Sequence, residues 1–365
     1  MTIAEPASVI RFRDYVKIET DHPTPDYANL VKGKSVVILK LEGSDPSLPA
    51  ILLNSHTDVV QVYSEKWDYD TFAATRLTGS LYLEAFRQIK ASGKILLRNV
   101  YSTFAPDEEI YSIEGMIPFS KSQEFKELSI GFGIDEGGLS VNENTYYFTS
   151  ERTTCSVTFT ANGNTGHGSQ FIEGTAIKKL LLIINELMQL RSNQLTELQN
   201  TGGVYLLNLG QVTSVNLKML EGGKQPNFVH ATFSATFDIR VTPCSDLTEF
   251  YKYLEDLASK NDCEIKFLYR NDPNKSLKIT ANNPFMVEII SACDNHRLSP
   301  VEMIMPGATD ARFVRQAGIQ AVGINLMINH KILAHDHNEY IIESEYIKST
   351  PFYTDLIERL ASVPA

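Results

Sequence analysis

The chain has 365 residues, of which 43% are hydrophobic and 21% charged, and its net charge is −11. A chain of this length exceeds the usual limit of one hydrophobic core, so two domains are expected. The acidic balance argues against nucleic acid as the main partner, and no apolar run is long enough to predict a membrane-spanning helix.

The first part of the chain alternates between helical and strand-like segments. Helical patterns occur at Val9–Ile18, Tyr82–Ala91 and Ile113–Ser122. Short apolar runs predict strands at Val36–Leu41, Ala50–Asn54, Ile95–Phe104 and Leu128–Ile134. This alternation predicts an α/β domain with a largely parallel sheet that helices cover on its faces.

Beyond Ser150 the pattern changes to that of an antiparallel sheet with helices. Alternating apolar residues predict strands at Thr154–Ala161, Gly210–Leu217 and Ala231–Val241. Amphipathic spacing predicts helices at Thr175–Arg191 and Leu247–Ala258. Together these segments predict a compact α+β unit.

After Pro284 the α/β character returns. The predicted elements are a helix at Phe285–Asn295, a strand at Ala321–Asn325 and a closing helix at Ser344–Leu360. We therefore predict an α/β metallohydrolase domain of residues 1–152 and 273–365. It is interrupted by an inserted α+β domain of residues 153–272.

The first candidate site follows the apolar run Ala50–Asn54, where His56 and Asp58 form a His-x-Asp sequence. Open α/β sheets place their sites at the carboxyl ends of the strands. The imidazole of His56 is then expected to face a metal, while the carboxylate of Asp58 holds a neighbouring group. A purely structural His-x-Asp is the alternative.

Three consecutive acids, Asp107, Glu108 and Glu109, end the next predicted strand. Like charges repel one another, so at the end of a buried strand a divalent metal explains them better than a solvated loop does. Glu109 is expected to be a ligand. Glu108 points elsewhere and is expected to act as the general base on a water molecule.

Further ligand-type residues are Glu136, which follows Leu128–Ile134, and His335 near the C-terminus. Together with His56 and Glu109 they make a mixed nitrogen and oxygen set, which suits zinc or a similar divalent ion. The recurrence of such residues after strands favours a metallohydrolase over a surface role for each residue.

The chain resembles the zinc-dependent aminoacylases along nearly its whole length. The similarity is closest at Ile51–Val60, Pro106–Glu109, Phe132–Gly137, Gly166–Ser169, Val212–Gly223, Phe237–Pro243, Ile304–Arg312 and Ala334–Glu339. The resemblance implies a di-zinc catalytic domain interrupted by a smaller lid and dimerisation domain. It also implies hydrolysis of N-acyl-L-amino acids to a carboxylate and a free amino acid.

The resemblance also implies a role for each candidate residue. His56 and Glu136 would hold one zinc, and Glu109 and His335 the other. Two further residues would have catalytic roles. Asp58 would be the acid that orients the metal ligands without binding zinc itself, and Glu108 would be the general base. The substrate would be bound by Asn227, Arg240, Gly307 and Arg312.

The chain departs from the aminoacylases at an Asp that bridges the two zincs in that family. The segment that carries this Asp is missing before the helix near Tyr82, and a second segment is shortened near Tyr27–Lys32. Tyr111 and Ser112 replace a pair of glycines. The sequence therefore predicts weak or partial zinc binding. The alternative function is a catalytically impaired or non-catalytic aminoacylase-like chain that binds a ligand or a partner.

The remaining expectations concern location and partners. The four cysteines are far apart, and the N-terminal residues do not have the pattern of a secretory signal, which together predict a cytoplasmic protein with reduced thiols. The resemblance implies a homodimer formed through the inserted domain. The expected partner is a small N-acyl amino acid, with no nucleic acid and no membrane.

Overall fold

The computed structural model describes Ala7, Arg11 and residues 35–68, 79–202, 205–271 and 279–365. Apart from Arg11, the helix predicted at Val9–Ile18 lies outside these residues, as does the shortened segment near Tyr27–Lys32. The chain divides into two compact units. The first comprises Met1–Thr149, Lys275–Glu302 and Thr309–Ala365, and the second comprises Ser150–Asn274 and Met303–Ala308.

The described strands are, in chain order, β1 (Val37–Leu41), β2 (Ala50–His56), β3 (Val100–Ala105), β4 (Ile130–Asp135), β5 (Asn144–Glu151), β6 (Thr153–Asn162), β7 (Gly166–His167), β8 (Ser214–Gly222), β9 (Phe228–Val229), β10 (Thr232–Val241), β11 (Cys263–Arg270), β12 (Ser299–Met305) and β13 (Gln320–Ile324). The described helices are α1 (Gly79–Ser92), α2 (Met116–Lys121), α3 (Gln123–Glu127), α4 (Ala176–Asn200), α5 (Tyr205–Asn208), α6 (Leu247–Lys260), α7 (Pro284–Asn295), α8 (Ala311–Gln316) and α9 (Glu343–Leu360). None of these helices is both long and apolar enough to cross a membrane.

The larger sheet has seven strands in the order β1-β3-β2-β4-β13-β5-β12. Strand β2 pairs in parallel with β3 and β4, and β13 pairs in parallel with β4. The apolar run of β2 lies at the centre of the sheet, where Ile51, Leu52 and Leu53 are fully buried. Helices α1, α7 and α9 contribute to the core around it. The predicted mostly parallel sheet is confirmed.

The second unit contains a four-stranded antiparallel sheet in the order β11-β6-β10-β8. Apolar residues of α4 and α6, among them Leu180, Ile183 and Leu254, pack with the sheet in one buried cluster. Strands β7 and β9 form a separate pair. The α+β character predicted for this part of the fold is confirmed.

Some predicted elements differ from the structure. The strand predicted at Ile95–Phe104 begins only at Val100. The helix predicted at Ile113–Ser122 begins only at Met116 and ends at Lys121 as α2. A separate helix, α3, follows it, because the hydroxyl of Ser122 accepts the N–H of Phe125 and starts a new helix. Strands β5, β11 and β12 and helix α8 were not predicted.

Strand β13 contacts the end of β4 closely at Gly323, which pairs with Asp135. A Cβ atom at position 323 would lie 2.4 Å from the carbonyl oxygen of Glu136. Glycine is therefore required there for the two strands to approach each other at this end.

Candidate metal centre

The candidate ligands of the first unit lie at one edge of the sheet. Strands β2, β3 and β4 are adjacent and parallel, so their carboxyl ends meet there. His56 is the last residue of β2, Glu108 follows β3, and Glu136 follows β4. One potential ligand atom from each of these three residues lies within 4.8 Å of the other two.

His56 and Glu136 form the first pair. The Nε2 atom of His56 lies 3.2 Å from a carboxylate oxygen of Glu136. The Nδ1 atom of His56 lies 2.9 Å from the backbone oxygen of Asp58, and this oxygen can only accept a hydrogen bond. The neutral imidazole therefore carries its hydrogen on Nδ1, which leaves Nε2 available to a metal.

Glu109 and His335 form the second pair. The Nε2 atom of His335 lies 3.1 Å from a carboxylate oxygen of Glu109. The hydrogen bond to Glu109 raises the pKa of His335 above its ordinary value. The structure thus brings together the same two His–Glu pairs that the resemblance assigns to two metals.

The carboxylate of Asp58 holds the turn that carries Glu108 and Glu109. One of its oxygens accepts the backbone N–H of Glu108 and the other accepts that of Glu109, each over 3.1 Å. The sequence predicted only that Asp58 would hold a neighbouring group. The structure specifies that this group is the backbone of a short 3₁₀ turn, Glu108–Ile110.

Buried acids dominate the electrostatics of this edge. Burial and the nearby charge of Glu136 raise the pKa of Glu108 and of Asp135 well above their ordinary values. Burial also raises the pKa of Asp310, to about 7. For His56, burial opposes the charged form, but the carboxylates of Glu136 and Asp58 outweigh it and raise the pKa.

The donor set fits a divalent cation. Among the described residues, Asp135 and Asp310 each have one carboxylate oxygen that is buried and makes no hydrogen bond. Several buried carboxylates close to one another repel unless a positive charge lies between them. Carboxylate and imidazole ligands together suit zinc and related ions.

The residues predicted to bind substrate belong to both units. Arg312 lies in α8 of the first unit, where it is buried and its guanidinium is 4.5 Å from the ring centre of Phe313. Asn227, Arg240 and Gly307 belong to the second unit. Arg240 donates hydrogen bonds there to Asp238, over 3.0 Å, and to the hydroxyl of Thr154, over 2.9 Å.

Two residues near the centre were missed by the sequence analysis. The hydroxyl of Ser112 donates a hydrogen bond to Asp310, and both side chains are buried. Tyr111 and Ser112, which follow the acids in this turn, both adopt positive φ angles, 79° and 57°. The only sequence signal for Asp310 was its place in the segment Ile304–Arg312, where the chain resembles the aminoacylases.

Comparisons with known proteins place the chain in a family. The profile of Peptidase family M20/M25/M40 matches residues 52–359. Aminoacylase-1 of Sus scrofa is 36% identical over 398 residues, which cover 99% of this chain and 97% of the relative. Aminoacylase-1 of Dictyostelium discoideum is 34% identical over 405 residues, which cover 99% of each chain.

Solved structures agree in fold. The M20 family metallo-carboxypeptidase Sso-CP2 of Sulfolobus solfataricus has a TM-score of 0.74 at 17% identity and covers 98% of this chain and 99% of its own. A dinuclear metal-binding M20 peptidase of Bacillus subtilis has a TM-score of 0.68 at 13% identity, with 98% of each chain covered.

The comparison in length agrees with the shortened segments. The alignment with the Sus scrofa relative spans 398 positions, whereas this chain has 365 residues, so at least 33 aligned positions have no residue here. The family match over residues 52–359 nevertheless includes His56, Glu109, Glu136 and His335. The chain belongs to Peptidase family M20/M25/M40.

Proposed function

We propose that this protein is a metal-dependent amidohydrolase that cleaves N-acyl-L-amino acids into a carboxylate and a free amino acid. The observation that carries the proposal is the grouping of His56, Glu108 and Glu136 within 4.8 Å. The names of the relatives, which are aminoacylases at 34–36% identity over nearly the whole chain, support this substrate class.

The proposed cofactor is zinc. His56 and Glu136 would hold one ion, and Glu109 and His335 a second, because each pair combines an imidazole with a carboxylate at hydrogen-bond distance. When bound, the metal supplies Lewis acidity to the amide carbonyl and to water.

Glu108 is the proposed general base. Its backbone is fixed by Asp58, and burial beside Glu136 raises its pKa. A carboxyl group with a raised pKa can accept a proton from the attacking water and then release it to the nitrogen of the leaving amine. One residue thereby serves both proton transfers.

The proposed substrate contacts are Arg312, Arg240, Asn227 and Gly307. A guanidinium matches a carboxylate through two parallel hydrogen bonds, which suits Arg312 for the carboxylate of the amino acid. Gly307 has no side chain to keep a ligand from the backbone, and the nearest atom to a Cβ built there is 3.5 Å away.

The test of this function is Glu108→Gln, assayed with N-acetyl-L-methionine and added zinc. We expect kcat to fall by about 10²- to 10⁴-fold because the proton acceptor is lost. Zinc content and thermal stability are expected to stay near those of the wild type. Glu124→Gln, a change of an exposed acid on α3, is the matched control and is expected to keep full activity. Undiminished turnover in Glu108→Gln would contradict the role of this residue.

A second candidate function is a catalytically impaired chain that binds a ligand or a partner. The 33 or more aligned positions without a residue here favour it, because ligands of the relatives can be missing with them. Each His–Glu pair supplies only two protein ligands, whereas catalytic zinc usually has three. The zinc content of the purified chain after dialysis separates the two candidates. Two ions per chain favour the enzyme, and none in a folded chain favours the impaired form.

We further propose a cytoplasmic homodimer that associates through the second unit. The four cysteines form no disulfide. Strand β8 is an edge strand whose Met219 and Leu220 are about half exposed, and such an edge can pair with a second copy. A monomer in light scattering at micromolar concentration would contradict this proposal.

A further inference from the structure

The turn that carries Glu108 and Glu109 has a left-handed backbone at three residues that are not glycine. The φ angle is 64° at Asp107, 79° at Tyr111 and 57° at Ser112. Side chains disfavour this region because Cβ comes close to the following carbonyl oxygen. The surrounding contacts must therefore hold the turn in its shape.

Several of these contacts meet at Ser112. Its N–H donates to the carbonyl oxygen of Asp107 over 2.6 Å. Its own carbonyl oxygen accepts the N–H groups of Gly115 and Ile117 at 3.2 Å, at the start of α2. Its hydroxyl donates to Oδ1 of Asp310, which lies 198 residues further along the chain. This last bond connects the acidic turn to a distant part of the first unit.

The carboxylate of Asp310 does not cap the helix that it precedes. Asp310 is the N-cap residue of α8, yet its carboxylate makes no hydrogen bond to the N–H groups of that helix. An Asp at this position commonly accepts one of those N–H groups. Here the carboxylate accepts the hydroxyl of Ser112 instead, while Arg312 lies two residues further along, in α8.

We propose that Ser112 and Asp310 are positioning residues, whose hydrogen bond holds the turn of Glu108 and Glu109 in place relative to Arg312. This inference rests on the proposed function, since it concerns the same metal centre. A glycine at position 112 would have no hydroxyl to make the bond. The contact therefore depends on the residue that this chain has at position 112.

The first test compares the zinc affinity of two glycine variants by competition with a chelator. Ser112→Gly removes the hydroxyl and also relieves the left-handed strain, so the fold is not at risk. Tyr111→Gly relieves the same kind of strain one residue earlier and keeps the hydroxyl. We expect about tenfold weaker zinc binding in Ser112→Gly, as is typical when a residue that orients a metal ligand is changed, and unchanged binding in Tyr111→Gly.

The second test measures kcat and KM with N-acetyl-L-methionine. In Ser112→Gly kcat is expected to fall about tenfold, as for other residues that orient metal ligands, with little change in KM, because Arg312 keeps its own helix. In an Asp310→Ala background the acceptor of the hydroxyl is already absent, so Ser112→Gly is expected to cause no further loss of zinc affinity or kcat there.

Two results would overturn the positioning role. One is a Ser112→Gly variant with the zinc affinity and kcat of the wild type. The other is a loss from Ser112→Gly in the Asp310→Ala background as large as in the wild type, because the hydroxyl would then act without Asp310. If the zinc-loaded wild type has no turnover, the proposed function fails, while the comparison of zinc affinities still tests the positioning role.

Discussion

At the scale of single residues, the acids of the candidate metal centre differ in which neighbouring group contacts their carboxylates. Glu109 contacts an imidazole, and so does Glu136. Asp310 instead contacts the hydroxyl of Ser112, and burial raises its pKa to about 7. An Asp in an unfolded chain has a pKa of about 3.9. Folding therefore strengthens the binding of a proton to Asp310.

This difference predicts a pH-dependent effect of Asp310→Asn on the stability of the metal-free protein. Between about pH 4, near the ordinary pKa of Asp, and about pH 7 the folded state binds more protons at this site than the unfolded state. The contribution of Asp310 to the free energy of unfolding hence falls as the pH rises through this range. The asparagine cannot ionise, so it lacks this decrease.

The measurement is urea unfolding of wild type and Asp310→Asn at several pH values, after removal of metal with a chelator. The variant is expected to gain stability relative to the wild type as the pH rises from about 4, near the ordinary pKa of Asp, to about 7, and then to keep a constant advantage. A difference that does not change with pH would mean that Asp310 has an ordinary pKa.

At the scale of elements, the sequence predicted those that bury a continuous apolar run or a clear amphipathic face. Strand β2 and helices α4 and α6 are of this kind, and their positions follow from hydrophobic burial alone. Strand β12 contains Pro300 and Glu302, so its pairing in the sheet overrides a weak local preference. Strand β11 alternates regularly between half-buried and exposed residues, and its pattern was present in the sequence.

The candidate site could be predicted from the sequence only where its residues follow parallel strands. Strand ends identified His56, Glu109 and Glu136, because the carboxyl ends of parallel strands meet at one edge. The bond between Ser112 and Asp310 joins residues 198 positions apart, and no periodic pattern encodes such a contact. The hydroxyl of Ser112 and the carboxylate of Asp310 come together only in the folded chain.

The C-terminal residues after α9 depend on one buried guanidinium. Arg98 donates hydrogen bonds to the backbone oxygens of Val363, Pro364 and Pro49 over 2.7–2.8 Å. It is only 4% exposed and lies over the ring of Phe285. We expect Arg98→Ala to lower the free energy of unfolding by roughly 2–4 kcal/mol, because a buried guanidinium and its three hydrogen bonds to backbone oxygens are lost.

Lys94→Ala is the control for this prediction. Lys94 also contacts the C-terminal part of the chain, through an ion pair with Glu358 of α9. Half of the Lys94 side chain is exposed. Such a surface pair contributes about 0–1 kcal/mol, so this variant should unfold in urea almost like the wild type. Equal losses in the two variants would show that Arg98 stabilises the chain no more than a surface charge does.

At the scale of the whole molecule, the candidate ligands are unevenly distributed. His56, Glu109, Glu136 and His335 all belong to the first unit. A ligand that binds only the folded form stabilises the unit that binds it, by about 2.7 kcal/mol when its free concentration is 100 times its Kd. Two units with separate cores can unfold in separate steps.

We therefore expect two transitions in scanning calorimetry of the metal-free chain. Added zinc should raise the temperature of one transition and leave the other where it is. The transition that zinc does not move is expected to be that of the second unit, Ser150–Asn274 with Met303–Ala308. If zinc shifts both transitions equally, the two units unfold as one.

The close approach at Gly323 has a consequence for how this protein can vary. The residue carries no functional group, yet a single methyl group there would collide with the backbone of Glu136. The residues that position 323 can accept are therefore limited by the backbone at the end of the neighbouring strand β4. A larger residue at this place would displace the end of β4, so position 323 cannot vary while Glu136 keeps its contact with His56.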